Sequence, residues 1–482
     1  MMPTNIIKWM LIGLLVGSVT TTQADTIVLP NMGDSSGTLI SPEQEHEIGE
    51  GVMRELRRSL KLVSDPEINE YIQSIGYRIV SNSDNQFQDF TFFIINDPTI
   101  NAFAAPGGFV GINSGLIVSS ESESEMAAVI AHEVAHVTQR HLARSYEAQS
   151  QLQTPSLIGL IAAVLLSTQN AELGRAALVA SSAVGAQIAL NFTRSNEQEA
   201  DDIGMQTLAR AGFDPYAMPA FFEKLQNSSR YYGQPPEFLS THPVTVTRIA
   251  ESRARAERYP YKQIPDSLEF NLTREKLIVL AATDTKQLIQ DYQKNIRSGN
   301  FRTETSARYG YALALVKDGQ YALARKQIDQ LEKQFPNELA FKILNAQNEV
   351  AAGKLSNGLD DYKTILKLYP DNHPATVYYA QALLKNGRAK EARILLHEHL
   401  RNRAPDADMY RLQAVVEGEA GFRLEAHQSM SEYYYLTGDL PSAIQQLNIA
   451  LGLKSSDFYE LSKIEARKTA LQNELAQRKK NS

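Results

Sequence analysis

The sequence predicts an α+β fold, predominantly α, in two parts: a metal-site domain with a small β-sheet, followed by an α-solenoid. Three observations predict it. His132-Glu133-Val134-Ala135-His136 sits inside a run of apolar helix formers. Ahead of it, two short β-rich runs, Phe90 to Ile95 and Phe109 to Ile112, lie on either side of a Pro-Gly-Gly turn. Behind it, Gly319, Gly353, Gly387 and Gly421 recur every 34 residues.

At 482 residues the chain is too long for a single core, so two or more domains are expected. An apolar fraction of 43% and a charged fraction of 21% are those of a folded globular protein. The net charge of −7 and the lack of a basic tract exclude a general nucleic-acid binder.

Taken in order, Lys8 precedes an apolar run from Trp9 to Val16, and small residues follow, ending Thr22-Gln23-Ala24. Residues 1–24 thus read as a Sec signal peptide cleaved after Ala24, its apolar run being too short to span a bilayer. Residues 25–40 are polar and glycine-containing and form an extended leader. A first domain is expected over 41–258. Ser41-Pro42-Glu43 starts a helix whose periodicity runs to Leu62, and Pro66 to Ser81 makes a second, with Ile68, Ile72, Ile75 and Ile79 on one side. Phe90 to Ile95 reads as a strand. Asn101 to Gly108 leads into Phe109-Val-Gly-Ile112, with Gly107-Gly108 as the turn between neighbouring strands. Such an edge is either a plain hairpin or a place where an extended peptide pairs beside the helix that follows.

On that helix His132 and His136, four apart, stand one turn apart on one face. Two imidazoles so placed can hold one Zn²⁺, with Glu133 beside them as a general base; the competing reading is a helix with two satisfied core histidines. Ser122 and Glu125 have capping-box spacing and start the helix. The chain has no cysteine, so histidine and carboxylate must supply every metal ligand. Glu197 and Asp201 are again four apart. Glu197 is the candidate third ligand, and Asp201 the acceptor for a ring N–H of His132 or His136. Two histidines and one glutamate leave a fourth position for water, the arrangement of a catalytic zinc. Glu199 faces elsewhere, and His141, five residues past His136, reads as a surface residue. Between these pieces lie two apolar segments, Leu157 to Leu166 and Ala176 to Leu190. Neither is long enough to cross a membrane, so they read as a core helix hairpin or a flap over the site, with peripheral membrane contact as the other reading.

These residues, with Asn101-Ala-Phe-Ala before them and Thr241-His242-Pro243 and Arg248 after them, resemble the HtpX-like, CAAX-prenyl-protease family of gluzincin metallopeptidases. The resemblance runs from about Ser41 to Glu257. It implies a zincin-type metallopeptidase domain that binds one Zn²⁺ through His132, His136 and Glu197 and uses Glu133 as base. The oxyanion then needs a donor besides the metal, and His242 or Arg248 is the candidate. His242 has a second possible role: as a fourth ligand it would displace water and make the enzyme latent.

A boundary is expected between Tyr259 and Leu268, with 259–304 as linker and helical lead-in, Leu272 to Ala282 and Thr285 to Ile296 being helical. Over 305–482 the 34-residue glycines are joined by Ala312, Ala346, Ala380 and Ala414, each seven residues earlier. Five residues after each glycine stands Ala324, Gly358, Ala392 or Ala426. This resembles the tetratricopeptide repeat, in which small residues sit where two helices cross. Gly438, Ala443 and Ala450 restart the series seventeen residues after Gly421, so one helix serves two repeats, and Tyr459 to Lys480 caps the stack. Tyr309, Tyr311, Tyr378, Tyr379 and Tyr410 either line the groove or pack inside it.

A zinc peptidase that is exported and joined to such repeats is similar to the periplasmic peptidases of Gram-negative outer-membrane quality control. The resemblance implies degradation of unfolded or misassembled outer-membrane β-barrel proteins, chaperone-like help to others, and docking on the barrel assembly machinery through the repeats. Two alternatives stand beside it: a chaperone or adaptor with a latent metal site, and a membrane-surface peptidase.

Overall fold

The computed structural model describes residues 41–84, 89–147, 154–167, 194–232, 236–453 and 458–480. The expected signal peptide and leader and the segment Ala176 to Leu190 lie outside the described residues.

The first described residue already shows why the chain turns helical. Ser41 Oγ accepts the Gln44 N–H while Gln44 Oε1 accepts the Ser41 N–H, satisfying two donors that the first turn of α1 (Pro42–Ser59) would otherwise leave open. Asp65 does the same for α2 (Pro66–Val80), accepting the N–H groups of Glu67 and Ile68. Three strands follow: β1 (Thr91–Ile95), β2 (Ala102–Ala105) and β3 (Phe109–Asn113). β3 lies in the middle, parallel to β1 and antiparallel to β2. The turn between β2 and β3 needs Gly107 and Gly108 at φ 74° and 85°, a region that a Cβ disfavours.

Alternation along the strands sends side chains to two cores. Phe92, Ile94, Ala102, Ala104, Val110 and Ile112 join the isoleucines of α2 and the apolar side of α4 (Glu123–Thr138), which follows the short α3 (Ser114–Ser119). Phe93, Ile95, Phe103, Ala105 and Phe109 face the other way, onto α1 and Leu157, Ile161, Ala162 and Leu166. The first apolar segment is therefore a core helix. With α5 (His141–Glu147) before it, it is α6 (Thr154–Ser167). Among the described residues no helix is long and apolar enough to cross a membrane.

The domain is completed by α7 (Arg194–Arg210), α8 (Ala217–Tyr232), α9 (Phe238–Thr241) and α10 (Val246–Ala256). Next come α11 (Leu268–Ala281) and α12 (Thr285–Ser298). α11 belongs to both halves: Phe270 and Leu277 enter the core of α2 and α4, while Leu272 packs with Tyr309 and Phe341.

Among the described residues nine helices then stack, each against the next: α13 (Glu304–Lys317), α14 (Tyr321–Gln334), α15 (Leu339–Ala351), α16 (Leu355–Leu368), α17 (His373–Lys385), α18 (Ala389–His399), α19 (Ala407–Glu419), α20 (Arg423–Leu436) and α21 (Leu440–Gly452). The 34-residue glycines are the left-handed residues that end the first helix of each pair, at φ 79°, 81°, 70° and 90°. Of their alanine companions, Ala312, Ala324, Ala346, Ala380, Ala392 and Ala414 are buried at the crossings, and Ala426 is half-buried. α20 packs on both α19 and α21, as the early restart of the small-residue series requires. α22 (Phe458–Lys480) covers the end, burying Ile464 and Leu471 against Ala443, Leu447 and Ala450. Tyr309 is packing, tilted against Phe341 in the interior.

The solenoid curls back onto the first domain. Tyr378 on α17 hydrogen-bonds Asp65, Arg403 pairs with Glu70, and Arg54 of α1 reaches Tyr435 and Glu474.

Candidate metal centre and active site

α4 brings the site together because its sequence allows burial on every side. From Glu123 to Val137 every residue is buried, and only His132, Glu133 and His136 bring polar groups into its middle. Ser122 Oγ accepts the Glu125 N–H at 3.2 Å, half of the expected capping box. The reciprocal bond runs to the Glu121 N–H, at 2.8 Å. α7 lies directly against α4 at Gly204, where a Cβ would come within 3.1 Å of the Ala131 carbonyl and the His132 backbone. That approach lets α7 carry Glu197 and Asp201 up to the histidines.

Four side chains converge: His132, His136, Glu197 and His242 each offer an atom, all four atoms lie within 4.8 Å of one another, and all four residues are buried. The pairs are His136 Nε2 to His132 Nε2 at 3.0 Å, His132 Nε2 to His242 Nδ1 at 3.4 Å, His136 Nε2 to Glu197 Oε1 at 3.4 Å and His242 Nδ1 to Glu197 Oε1 at 2.9 Å. Tetrahedral coordination at about 2.0–2.1 Å separates ligand atoms by about 3.3 Å, so these spacings suit one small cation. Charge points the same way. Glu133, Glu197 and Asp201 are all buried, and the guanidinium of Arg248 pairs with the last two. Both carboxylate oxygens of Glu133 are buried without a hydrogen bond of ordinary geometry, His242 Nε2 standing 3.4 Å away.

The electrostatics follow from burial working against neighbours. Burial alone would raise Glu197, but His242 and hydrogen bonds from His132 and His136 hold it well below the usual carboxylate range. Asp201 is likewise kept low, burial being outweighed by His132 and Arg248. Glu133 goes the other way: burial raises it, and His242 and His132 only partly offset that.

Each expected residue can now be placed. His132, His136 and Glu197 meet, with Glu133 beside them on α4. Asp201 Oδ1 lies 3.0 Å from His132 Nδ1, so it serves His132 rather than His136. His242 follows the single turn of α9, stacked on Phe238 with ring centroids 4.8 Å apart, and joins the cluster. Arg248 does not fit the expectation of an oxyanion donor. Its Nε and Nη2 donate to Asp201, and Nη1 serves the Pro243 carbonyl and Glu197 Oε2, each at 2.8 Å. It braces the two carboxylates from behind.

His141 is a correction. It is fully buried, its Nδ1 2.8 Å from His136 Nδ1 and its Nε2 3.1 Å from Glu199 Oε2. Helical spacing put it off the ligand face, but α4 ends before it, and Arg140 at φ 52° redirects the chain. Glu199, set aside with it, holds that imidazole. The buried Glu45, to which Arg140 pairs at 3.1 Å, anchors the turn.

The profile of Peptidase family M48 matches residues 66–256, and a tetratricopeptide-repeat profile matches 349–416. The β-barrel assembly-enhancing protease of Escherichia coli (strain K12) is 35% identical over 447 residues, 92% of each chain. A putative β-barrel assembly-enhancing protease of Vibrio cholerae is 35% identical over 424 residues, 88% of each. The mitochondrial metalloendopeptidase OMA1 of Schizosaccharomyces pombe is 33% identical over 179 residues, 37% of this chain and 50% of that protein.

Proposed function

The chain belongs to the β-barrel assembly-enhancing protease family, metallopeptidases with an M48 domain, and from that premise we propose a zinc endopeptidase whose site is gated by His242. The observation that carries the proposal is the convergence of four buried donor atoms beside a buried glutamate. His132 and His136 through Nε2, with Glu197, would hold the ion, and His242 Nδ1 would take the fourth position in this conformation. Zinc bound there supplies a polarised water and a positive charge opposite the scissile carbonyl.

Glu133 takes the proton of the attacking water on its carboxylate and returns it to the leaving amine. Asp201 Oδ1, 3.0 Å from His132 Nδ1, is placed to take the Nδ1–H and so turn the Nε2 lone pair inward, and Arg248 keeps Asp201 ionised. Catalysis requires His242 to withdraw. Its Nε2 then leaves Glu133, so that one movement vacates the fourth position and releases the base. The edge strand β2, packed on α4, gives an extended peptide a backbone to pair with.

The relatives' name supports β-barrel proteins as the substrate class; with the signal-peptide reading of residues 1–24 we place the protein in the periplasm, acting on outer-membrane barrels, with the repeats as the surface that meets the assembly machinery. A chaperone-like contribution from the repeats is the second reading, favoured by the closed position of His242. The test is degradation of an unfolded outer-membrane barrel by the zinc-loaded mature protein. Wild type or His242→Ala should cleave, His242→Ala faster, and Glu133→Gln should not, while any chaperone effect should survive Glu133→Gln. If no variant cleaves although zinc is bound, the peptidase mechanism is wrong and the binding role leads.

A further inference from the structure

Behind the metal centre lies a chain of contacts that the chemistry above does not use. Arg144 Nη2 is 3.0 Å from Glu199 Oε2, the same oxygen is 3.1 Å from His141 Nε2, and His141 Nδ1 is 2.8 Å from His136 Nδ1. The links come from three elements, α5, α7 and α4.

With His141 neutral, one proton assignment satisfies these three links. An ionised carboxylate only accepts, so His141 Nε2 must carry a hydrogen toward Glu199. A neutral His141 then has a lone pair on Nδ1, and His136 must present its Nδ1–H to it. That leaves the lone pair of His136 on Nε2, the atom that faces His132 and Glu197. Glu199 suits the acceptor role, its Oε2 being shared between His141 Nε2 and Arg144 Nη2. His132 reaches the same state more directly, through Asp201. The two histidines of α4 are thus oriented by different devices, one carboxylate acting at once and the other through an intervening imidazole.

We propose that His141, backed by Glu199 and Arg144, is a positioning residue for the metal centre: it fixes the tautomer and ring plane of His136 so that Nε2 is held ready for the ion. The inference rests on the reading of His136 as a ligand. Outer-shell partners of this kind are worth about 10–100-fold in metal affinity.

The test uses the full-length protein and zinc alone, with affinity measured by competition against a chromophoric chelator and folding followed by thermal unfolding. His141→Phe keeps the ring and its packing but has no acceptor. His141→Asn loses bulk but places an amide oxygen near the position of Nδ1. Positioning predicts that His141→Phe weakens zinc binding about 10–100-fold while His141→Asn stays within a few-fold of wild type. Packing alone predicts the reverse order. Equal zinc affinity in His141→Phe and wild type, or equal loss in both variants, overturns the proposal. If wild type itself binds no stoichiometric zinc, or His136→Ala binds it as tightly as wild type, the ligand assignment falls instead.

Discussion

In the first half of the molecule one set of buried polar groups converges on one place. Glu133, Glu197, Asp201, Arg248 and four histidines from α4, α5, α7, α10 and the segment after α9 are packed into a single centre. In the solenoid the crossings are filled by Ala312, Ala324, Ala346, Ala380 and Ala392, and neighbouring helices supply the contacts. Between the two halves sits a third arrangement. The buried Lys276 of α11 pairs with Asp65 at 2.9 Å and with Glu67 of α2, and Tyr378 of the repeats hydrogen-bonds all three. Here burial and Asp65 raise Glu67, with Lys276 opposing. At the metal centre Glu197 is held low instead. Three buried carboxylates beside a single paired guanidinium mark a site built for an added cation; two carboxylates gathered on their own buried lysine mark a joint.

The sharpest break of that contrast is Glu133→Gln. Losing the base should lower peptide hydrolysis by about 10²–10⁴-fold while zinc content and repeat-mediated binding stay as they are. Activity within a few-fold of wild type would remove Glu133 from the mechanism.

The joint comes next. Lys276→Met leaves Asp65 and Glu67 without their cation and should cost about 3–5 kcal/mol in denaturant unfolding. Adding Glu67→Gln should recover part of the loss. A cost below about 1 kcal/mol would mean that the two halves are not held through this cluster.

A smaller effect is read from pH. Glu417 of α19 accepts from Ser429 and faces His397, Arg393 and Glu425; burial pushes it up to about 7. Because the folded value lies above the unfolded one, near 4.5, its stabilising contribution is full below 4.5 and is lost as pH rises through 7. Glu417→Gln should therefore be the more stable protein at pH 8, by up to about 3 kcal/mol, the difference shrinking toward pH 4.5. Parallel melting curves at both pH values would show that the carboxyl is solvated.

The smallest change tests the repeats alone. A Cβ on Gly358 would meet Val350 Cγ2 at 2.5 Å and the Ala346 carbonyl at 3.0 Å. Gly358→Ala should cost about 1 kcal/mol net, overpacking being partly offset by the better helix former, and should leave cleavage of a short peptide unchanged. A fall in that cleavage would show that the solenoid reaches into the metal centre.

How much of this was legible follows from how far apart the cooperating residues are. The pairs His132/His136 and Glu197/Asp201 are one helical turn apart, and the repeats announce themselves every 34 residues. Both are properties of neighbours, set by backbone geometry whatever surrounds them. The isoleucines of α2 and the turn at Gly107-Gly108 belong to the same class. What Arg248 does was not readable, because its partners lie on α7 and not near it in the chain. Nor was the burial of His141, which depends on a left-handed Arg140 held by Glu45 from 95 residues away. Lys276 and Tyr378, too, look like ordinary surface residues until α2, α11 and α17 close on them. Periodicity alone determined which residues share a face; only the packing of distant helices decided which charges are buried together, because a buried charge is defined by partners that the local chain does not contain.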